Sequence, residues 1–271
     1  MIQPALKWVG GKRQLINSIV PLIPKSFSSY CEPFFGGGAV CFHLKPNVAF
    51  INDINSELID FYKVVRDYPE ELISELLTYV NDEEFYYSIR ALDRVDSFKK
   101  LSAVKKAART YYLNRMGYNG LYRVNSKGLF NVPYGKYKRD FRPNVEAIRD
   151  LSIYFNTNRI VFLNGHYSEV ISYLDSDSFV YLDPPYDPIS TTSFTSYSRH
   201  NFFREDQCDL KAFCDKLDSM NIKFMLSNSA TPFIRDLYKD YNIKIVGAKR
   251  FVNSDGKKRG FVDEVIVRNY K

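Results

Sequence analysis

Short apolar runs alternate with helical patterns in residues 1–55 and again from 146 to 271. Runs of four to eight apolar residues bounded by turn residues are typical of buried strands. Such runs lie at 48–51, 160–163, 179–182, 224–227, 243–246 and 262–267, and a helical pattern at 40–44 follows a plausible strand that ends near Glu32. The alternation predicts an α/β fold with a mostly parallel sheet. Asp255-Gly256, between the last two runs, predicts an antiparallel hairpin at the sheet edge.

The middle of the chain has a different pattern. Apolar residues recur at helical spacing at Leu72, Ile73, Leu76, Leu77 and Val80, and a second helix candidate at 104–116 contains Lys105, Lys106, Arg109 and Arg115. After residue 116 the helical pattern stops, and 117–139 is rich in Gly, Asn, Tyr and basic side chains, which predicts a loop or hairpin. We therefore expect residues 1–56 and 146–271 to form one domain and 57–145 to form a second, inserted domain.

The composition indicates a compact protein with a basic surface. Of the 271 residues, 45% are hydrophobic, and the net charge is +7 with a pI near 9.0, which favours nucleic acid or a membrane surface as partner. The chain has no run of roughly 18 apolar residues that could span a bilayer, and no signal peptide pattern, so we expect a cytoplasmic protein without membrane contact. Its four cysteines and three histidines show no metal-ligand spacing, so we expect no metal site.

Asp183, Pro184, Pro185 and Tyr186 directly follow the apolar run at 179–182. The two prolines fix their own φ and push the preceding residue into an extended conformation, so a carboxylate and an aromatic ring are held beyond a strand end. Asp183 and a proline carbonyl could accept the two hydrogens of an exocyclic amine while Tyr186 stacks on its ring. That geometry suits methyl transfer to a base amine. The alternative is an ordinary strand-ending turn, because Asp and Pro are common turn residues.

A glycine motif at 32–39 (EPFFGGGA) also follows a plausible strand and precedes a helical pattern. Consecutive glycines allow a ligand to approach the backbone closely. An acidic residue roughly 20 positions further on usually binds ribose hydroxyls in nucleotide-binding α/β folds, and Asp53 has that position. Because the motif has no Walker lysine, it predicts a nucleoside cofactor without a triphosphate.

The segment 117–139 combines basic, aromatic and amide side chains. Such a mixture can supply phosphate contacts, readout of base edges and apolar wedges, for which Leu121, Tyr122 and Tyr134 are candidates. The alternative is a solvated, glycine-rich surface hairpin. We also interpret 194–198 as a lid over the pocket that follows Asp183.

Five sequence blocks in one order resemble the Dam-type, D12-class DNA adenine N6-methyltransferases of the α group. The blocks are 4–13 (PALKWVGGKR), 32–39, 52–55 (NDIN), 114–125 with 130–138, and 183–186, and together they span nearly the whole chain. The resemblance implies a Rossmann-like S-adenosylmethionine-dependent methyltransferase sheet, mostly parallel with an antiparallel edge hairpin, and an inserted, mainly helical DNA-recognition domain with a β-hairpin loop. It further implies methyl transfer to adenine in double-stranded DNA, in GATC, by base flipping.

The resemblance also implies roles for individual residues. For S-adenosylmethionine the matching residues are Trp8, Lys12, Phe35, Gly36, Gly38, Asp53 and Asp183. For catalysis they are Asp183, Pro184, Pro185 and Tyr186. For DNA they are Lys7, Tyr118, Asn119, Leu121, Arg123, Pro133 and Tyr137. Lys7 and Arg123 would read base edges, Leu121 with Tyr118 and Asn119 would fill the space left by the extruded base, and Pro133 would contact a thymine methyl.

One position departs from the family pattern: Gly165-His166 stands where some relatives have Gly-Asp, which leaves the cofactor's adenine contacts open to a backbone amide or Tyr167. The alternatives are an amino-methyltransferase that acts on cytosine N4, RNA or a glutamine side chain, an adenine methyltransferase with another recognition sequence, and a non-catalytic DNA-binding relative. A cognate restriction endonuclease encoded nearby is a further candidate partner, without direct contact.

Overall fold

A single seven-stranded sheet forms the centre of the protein. The structure is a computed structural model that describes residues 2–8, 10–188, 202–249 and 261–271, so the expected lid at 194–198 and the Asp255-Gly256 turn lie outside the described residues. The strands are β1 (Ser29–Glu32), β2 (Val48–Asn52), β3 (Arg159–Leu163), β4 (Ser178–Leu182), β5 (Lys223–Ser229), β6 (Asn242–Lys249) and β7 (Phe261–Arg268). Their order is β3-β2-β1-β4-β5-β7-β6.

Strands β1 to β5 pair in parallel, whereas β7 runs antiparallel to both β5 and β6. This confirms the predicted α/β fold with a mostly parallel sheet and an antiparallel edge pair. From β1 the chain proceeds outward through β2 to β3, and it then returns to β4 on the other side of β1. The order therefore reverses between β1 and β4. In open α/β sheets, ligands bind beyond the carboxyl ends of the strands at such a switch point.

Nine α-helices lie in the described residues. They are α1 (Ile16–Ile19), α2 (Ala39–Leu44), α3 (Ser56–Asp67), α4 (Pro69–Leu77), α5 (Glu83–Ala91), α6 (Ala103–Met116), α7 (Val145–Thr157), α8 (Arg204–Ser219) and α9 (Pro232–Leu237). Several have polar N-caps, such as Asn55, whose side chain accepts a hydrogen bond from the Leu58 amide, and Ser102, which accepts one from Lys105. Helix α6 confirms the prediction at 104–116. Helix α4 ends at Leu77, so the apolar spacing that continued to Val80 overshot the helix by one turn.

Two apolar clusters cover the two faces of the sheet. On one face, Tyr30 and Phe179 pack with α2, α3, α6 and α7. On the other face, Val180 and Leu226 pack with α8 and α9. Helices α4 and α6, from the middle of the chain, belong to the first cluster, so they share a continuous apolar core with the sheet.

Arg109 lies inside this helical layer instead of on a basic surface. It is fully buried, and its guanidinium lies 2.6 Å from an Asp93 carboxylate oxygen and 3.4 Å from one of Glu57. The sequence could not show this, because the partners of Arg109 lie on other elements.

All four cysteines are free thiols. Among the described residues, none of the helices has the length and apolarity needed to cross a membrane.

Candidate active site at the switch point of the sheet

The glycine turn after β1 lies against Trp8. Gly36 has φ +50°, and a Cβ added to it would stand 2.7 Å from Cδ1 of the indole. A Cβ on Gly37 would stand 2.8 Å from the Trp8 Cβ. Gly38, with φ +65°, is the N-cap of α2, and an added Cβ there would clash with the Phe35 ring. Both the backbone conformation and the close indole therefore require glycine in this turn.

Asp53, at the end of β2, is hydrogen-bonded to the glycine turn. One carboxylate oxygen accepts from the Gly36 amide at 2.9 Å, and the other accepts from the Asn55 amide at 2.9 Å. Burial raises the pKa of Asp53, and these two amide donors lower it. Each carboxylate oxygen still has a lone pair for a further donor, so Asp53 can accept hydrogen bonds from the hydroxyl groups of a ligand beside the turn.

Asn52 joins three loops at this edge of the sheet, a role that its place in the block 52–55 did not indicate. Its buried amide donates to the Pro33 carbonyl at 2.9 Å and to the Gly165 carbonyl at 3.1 Å, and its oxygen accepts from the Gly165 amide at 3.1 Å. His166 is exposed, and its Nδ1 lies 2.7 Å from the Ser168 hydroxyl. The ring of Tyr167 is buried in the core.

Asp183 extends beyond β4 and forms an ion pair with Lys12. The Nζ of Lys12 is 2.7 Å from a carboxylate oxygen of Asp183 and donates to the Gly10 carbonyl at 2.6 Å, while only 5% of Lys12 is exposed. Burial raises the pKa of Asp183 to about 6, although the nearby Lys12 charge lowers it; Glu264 raises it further. The carboxyl group is therefore mostly ionised at neutral pH.

Tyr186 is fixed from two sides. Its hydroxyl donates to a carboxylate oxygen of Glu264 at 2.8 Å, and the Lys12 ammonium lies 4.7 Å from the centre of its ring. Burial, together with the negative charges of Asp183 and Glu264, raises the pKa of the phenol well above its usual value. Glu264 was missed from the sequence, although a glutamate inside the apolar run at 262–267 is an unusual residue for a buried strand.

The segment behind the two prolines is held by a pair of buried side-chain amides that no sequence pattern indicated. Gln207 on α8 donates to the Pro185 carbonyl at 2.8 Å, and Asn228 at the end of β5 donates to the Gln207 side-chain oxygen at 3.0 Å. The Asn228 side chain also accepts from the Asp187 amide at 3.0 Å. These bonds fix the backbone on both sides of Tyr186.

A second group of the expected residues lies on a hairpin that follows α6. Antiparallel bridges pair Gly117 with Tyr134 and Val124 with Phe130, which confirms the loop or hairpin predicted at 117–139. Arg123 donates to the Asn131 side chain at 2.8 Å across the hairpin. Tyr118, Asn119, Arg123 and Pro133 are exposed, whereas Leu121 is partly buried against the first apolar cluster.

Asn114, inside α6, connects this hairpin to the N-terminal segment. Its amide oxygen accepts from the Lys7 backbone amide at 2.8 Å, and its nitrogen donates to the carbonyls of Lys7 at 2.6 Å and Gly120 at 3.2 Å. A Cβ added to Gly120 would stand 2.8 Å from the Lys7 Cβ. The Lys7 ammonium lies 5.1 Å from the centre of the Tyr137 ring. The expected residues Lys7 and Tyr137 are therefore neighbours.

Trp8 contacts both regions. Besides covering the glycine turn, its indole stacks on Tyr122 of the hairpin, with ring centroids 5.7 Å apart and planes inclined by 25°. The Tyr122 hydroxyl donates to Glu57 at the start of α3 at 3.2 Å. The structure thus brings Trp8, Lys12, Asp53, Asp183 and Tyr186 to one edge of the sheet, next to the base of the hairpin.

Comparison with known proteins finds a family model and several relatives that match nearly the whole chain. A family model described as D12 class N6 adenine-specific DNA methyltransferase matches residues 8–252. The chain is 45% identical to the type II methyltransferase M1.LlaDCHI of Lactococcus lactis subsp. cremoris, over 99% of this chain and 96% of that protein. It is 41% identical to the type II methyltransferase M.MjaIII of Methanocaldococcus jannaschii, over 99% of each chain. It is 33% identical to the DNA adenine methylase of Escherichia coli K12, over 96% and 93% of the two chains.

Proposed function

Because the chain belongs to the D12 class N6 adenine-specific DNA methyltransferases, we propose that it methylates adenine N6 in double-stranded GATC sites with S-adenosylmethionine as donor. Residues 1–56 and 146–271 would form the catalytic domain, and 57–145 would form the domain that recognises DNA. The observation that carries the proposal is the ion pair of Asp183 with the buried Lys12 beside the fixed ring of Tyr186. If residues 183–186 were only a strand-ending turn, they would need neither a buried lysine nor an immobilised ring.

The residues beside the glycine turn fit S-adenosylmethionine. Asp53 has lone pairs available for the ribose hydroxyls, and the Lys12 ammonium has a third proton, beyond those donated to Asp183 and Gly10, for a carboxylate. Trp8 and the turn through Phe35, Gly36 and Gly38 would line the same pocket. When bound, S-adenosylmethionine supplies an electrophilic methyl group on its sulfonium.

The target adenine would be extruded from the duplex, because its amine cannot be reached inside the base stack. Asp183, ionised at neutral pH, would accept one hydrogen of the N6 amine, and the Pro184 carbonyl would accept the other. Tyr186 would stack on the base. The hydrogen bond from Gln207 to the Pro185 carbonyl would hold Asp183, Pro184 and Tyr186 in position. The nitrogen lone pair is then left directed away from the enzyme's acceptors, so catalysis would rest on positioning and electrostatics.

The hairpin and its surroundings would contact the DNA. Arg123 and Lys7 would read base edges in the major groove, Pro133 would contact a thymine methyl, and Tyr137 would support Lys7. Tyr118, 49% exposed, would fill the vacated space in the duplex together with Asn119 and Leu121. The net charge of +7 supports binding to a polyanion. A cognate restriction endonuclease encoded nearby would act on the unmethylated site without touching this chain.

The test is modified-base sequencing of plasmid DNA from a host that lacks adenine methylation, with the wild-type protein and Asp183→Ala expressed in parallel. We expect N6-methyladenine confined to GATC with the wild type and none with the variant, which should still bind duplex DNA. Methylation at another motif would leave the reaction standing and reject the proposed readout by Arg123 and Pro133. Soluble wild-type protein that methylates no adenine would reject the proposed reaction.

A further inference from the structure

We propose that Glu264 is a positioning residue for this reaction, which holds the phenol of Tyr186 in place and puts a second negative charge beside Asp183. The inference rests on the proposed function, because it concerns how the same site works. It concerns a residue outside the four-residue motif at 183–186 and 78 residues away from Tyr186 in sequence.

The direction of β7 is what brings Glu264 to the site. Because β7 is antiparallel to β5, its early residues lie at the edge of the sheet where β5 ends, and Glu264 pairs with Ser229 there. Alternate residues of a strand point to opposite faces. Val265 and Val267 belong to the second apolar cluster, so Glu264 shares the other face with Ile266, which belongs to the first.

Glu264 is partly buried, whereas Ile266 on the same face is buried. Taking a charge partly out of water is unfavourable unless it is hydrogen-bonded, and the phenol of Tyr186 provides that bond at 2.8 Å. The ammonium of Lys12 lies against the ring at 4.7 Å, so the ring is held at its hydroxyl end and at its side. Stacking on a base requires a fixed ring plane, and misplacement of a contact group lowers the rate steeply.

The charge of Glu264 acts on Asp183 as part of a small set of ionisable groups. Lys12 interacts with Asp183 from the N-terminal segment, Glu264 from β7 and Tyr186 from the same loop. Glu32 at the end of β1 and Tyr181 on β4 also interact electrostatically with Asp183. Lys12 lowers the pKa of Asp183 and Glu264 raises it. Removing the Glu264 charge alone should therefore lower that pKa.

Two substitutions separate the two roles. In Glu264→Gln the amide oxygen can still accept from the phenol, so we expect the single-turnover methylation rate at neutral pH to stay within about threefold of wild type. Its acid limb should move to lower pH. In Glu264→Ala both the acceptor and the charge are lost, and we expect the rate to fall about ten- to a hundredfold with an unchanged Kd for S-adenosylmethionine.

A double-mutant cycle tests the contact itself. Tyr186→Phe removes the hydroxyl but keeps the ring, and adding Glu264→Ala to it should cause no more than about a twofold further loss of rate, since the shared bond is already absent. Asp263→Asn is the matched control, because Asp263 is the neighbouring carboxylate on β7, is exposed and occupies the opposite face. That variant should keep both the wild-type rate and the wild-type pH profile.

Three results would overturn the inference while leaving the proposed function intact: a wild-type rate in Glu264→Ala, additive losses in the cycle, or an unmoved acid limb in Glu264→Gln. Inactive wild-type protein would instead refute the proposed function. The charge effect can then still be measured by titrating the Asp183 carboxyl with carbon-13 NMR in the wild type and Glu264→Gln. An equal midpoint in the two proteins would overturn the inference.

Discussion

Asn114→Ala should weaken the binding of both S-adenosylmethionine and DNA, although we expect Asn114 to touch neither. Its side chain makes three hydrogen bonds to backbone groups, two to Lys7 and one to Gly120, and only 2% of the residue is exposed. Lys7 precedes Trp8 at the glycine turn, and Gly120 belongs to the hairpin. Loss of the amide therefore frees the N-terminal segment and the hairpin at once.

The size of the effect follows from the groups that lose their partner. An unsatisfied buried backbone group costs about 1–3 kcal/mol. Three backbone groups are affected, but the amide and carbonyl of Lys7 are only partly buried, so hydrogen bonds to water can replace part of the lost stabilisation. We expect the free energy of unfolding to fall by about 2–4 kcal/mol. If ordering the freed segment costs about 1.4 kcal/mol when a ligand binds, each Kd rises about tenfold.

The assays are urea unfolding for stability, titration calorimetry for S-adenosylmethionine and equilibrium binding of a GATC duplex. Asn269→Ala is the matched control, because the Asn269 side chain also accepts from one backbone amide, that of Phe224, and donates to one carbonyl, that of Ile222, both at 2.9 Å. These groups lie at the start of β5, the end of the sheet opposite the site. If Asn114→Ala is destabilised as expected yet binds both ligands with wild-type Kd values, the reasoning is refuted.

Three further predictions concern the site and its support. The single-turnover rate should fall about tenfold for each pH unit below about 6. The pKa of Asp183 is raised to about 6, so the carboxylate acceptor is present above that pH and is lost as the pH falls through it. A rate that stays constant one pH unit below the pKa would contradict this prediction. Gly36→Ala should raise the Kd for S-adenosylmethionine about tenfold or more, as measured by calorimetry, because the added Cβ would stand 2.7 Å from the Trp8 ring at a φ of +50°. Arg109→Met should lower the free energy of unfolding by about 1.5–3 kcal/mol in urea titrations, because it removes the guanidinium 2.6 Å from the Asp93 carboxylate, which keeps Arg94 and the Phe130 amide as partners. A loss below about 1 kcal/mol would show that the ion pair is not needed.

Features with a local cause could be predicted from the sequence. Each strand expected at 48–51, 160–163, 179–182, 224–227, 243–246 and 262–267 was found within three residues of its predicted bounds, because a short apolar run between turn residues has few other solutions. The parallel direction of β1 to β5 follows from the alternation of strands with helices along the chain. Helix α4 ended before Val80 because apolar spacing alone does not report where a helix stops.

Features that depend on distant contacts could not be predicted in this way. Asn114 bonds to Lys7, which is 107 residues away, and Gln207 on α8 donates to the Pro185 carbonyl, 22 residues away in the loop after β4. A buried amide gives no periodic pattern, since its role is set by the backbone groups that the fold brings to it. Arg109 shows the same limit in reverse: its charge suggested a basic surface, but its burial is decided by carboxylates on other elements.

The position of Trp8 has a spectroscopic consequence. It is the single tryptophan of the chain, and its indole touches the glycine turn on one side and Tyr122 of the hairpin on the other. Excitation at the red edge of its absorption, where tyrosine does not absorb, would therefore give emission from one place only. Its intensity and wavelength should respond to a ligand at the turn and to displacement of the hairpin, so the unlabelled protein contains its own optical probe of both events.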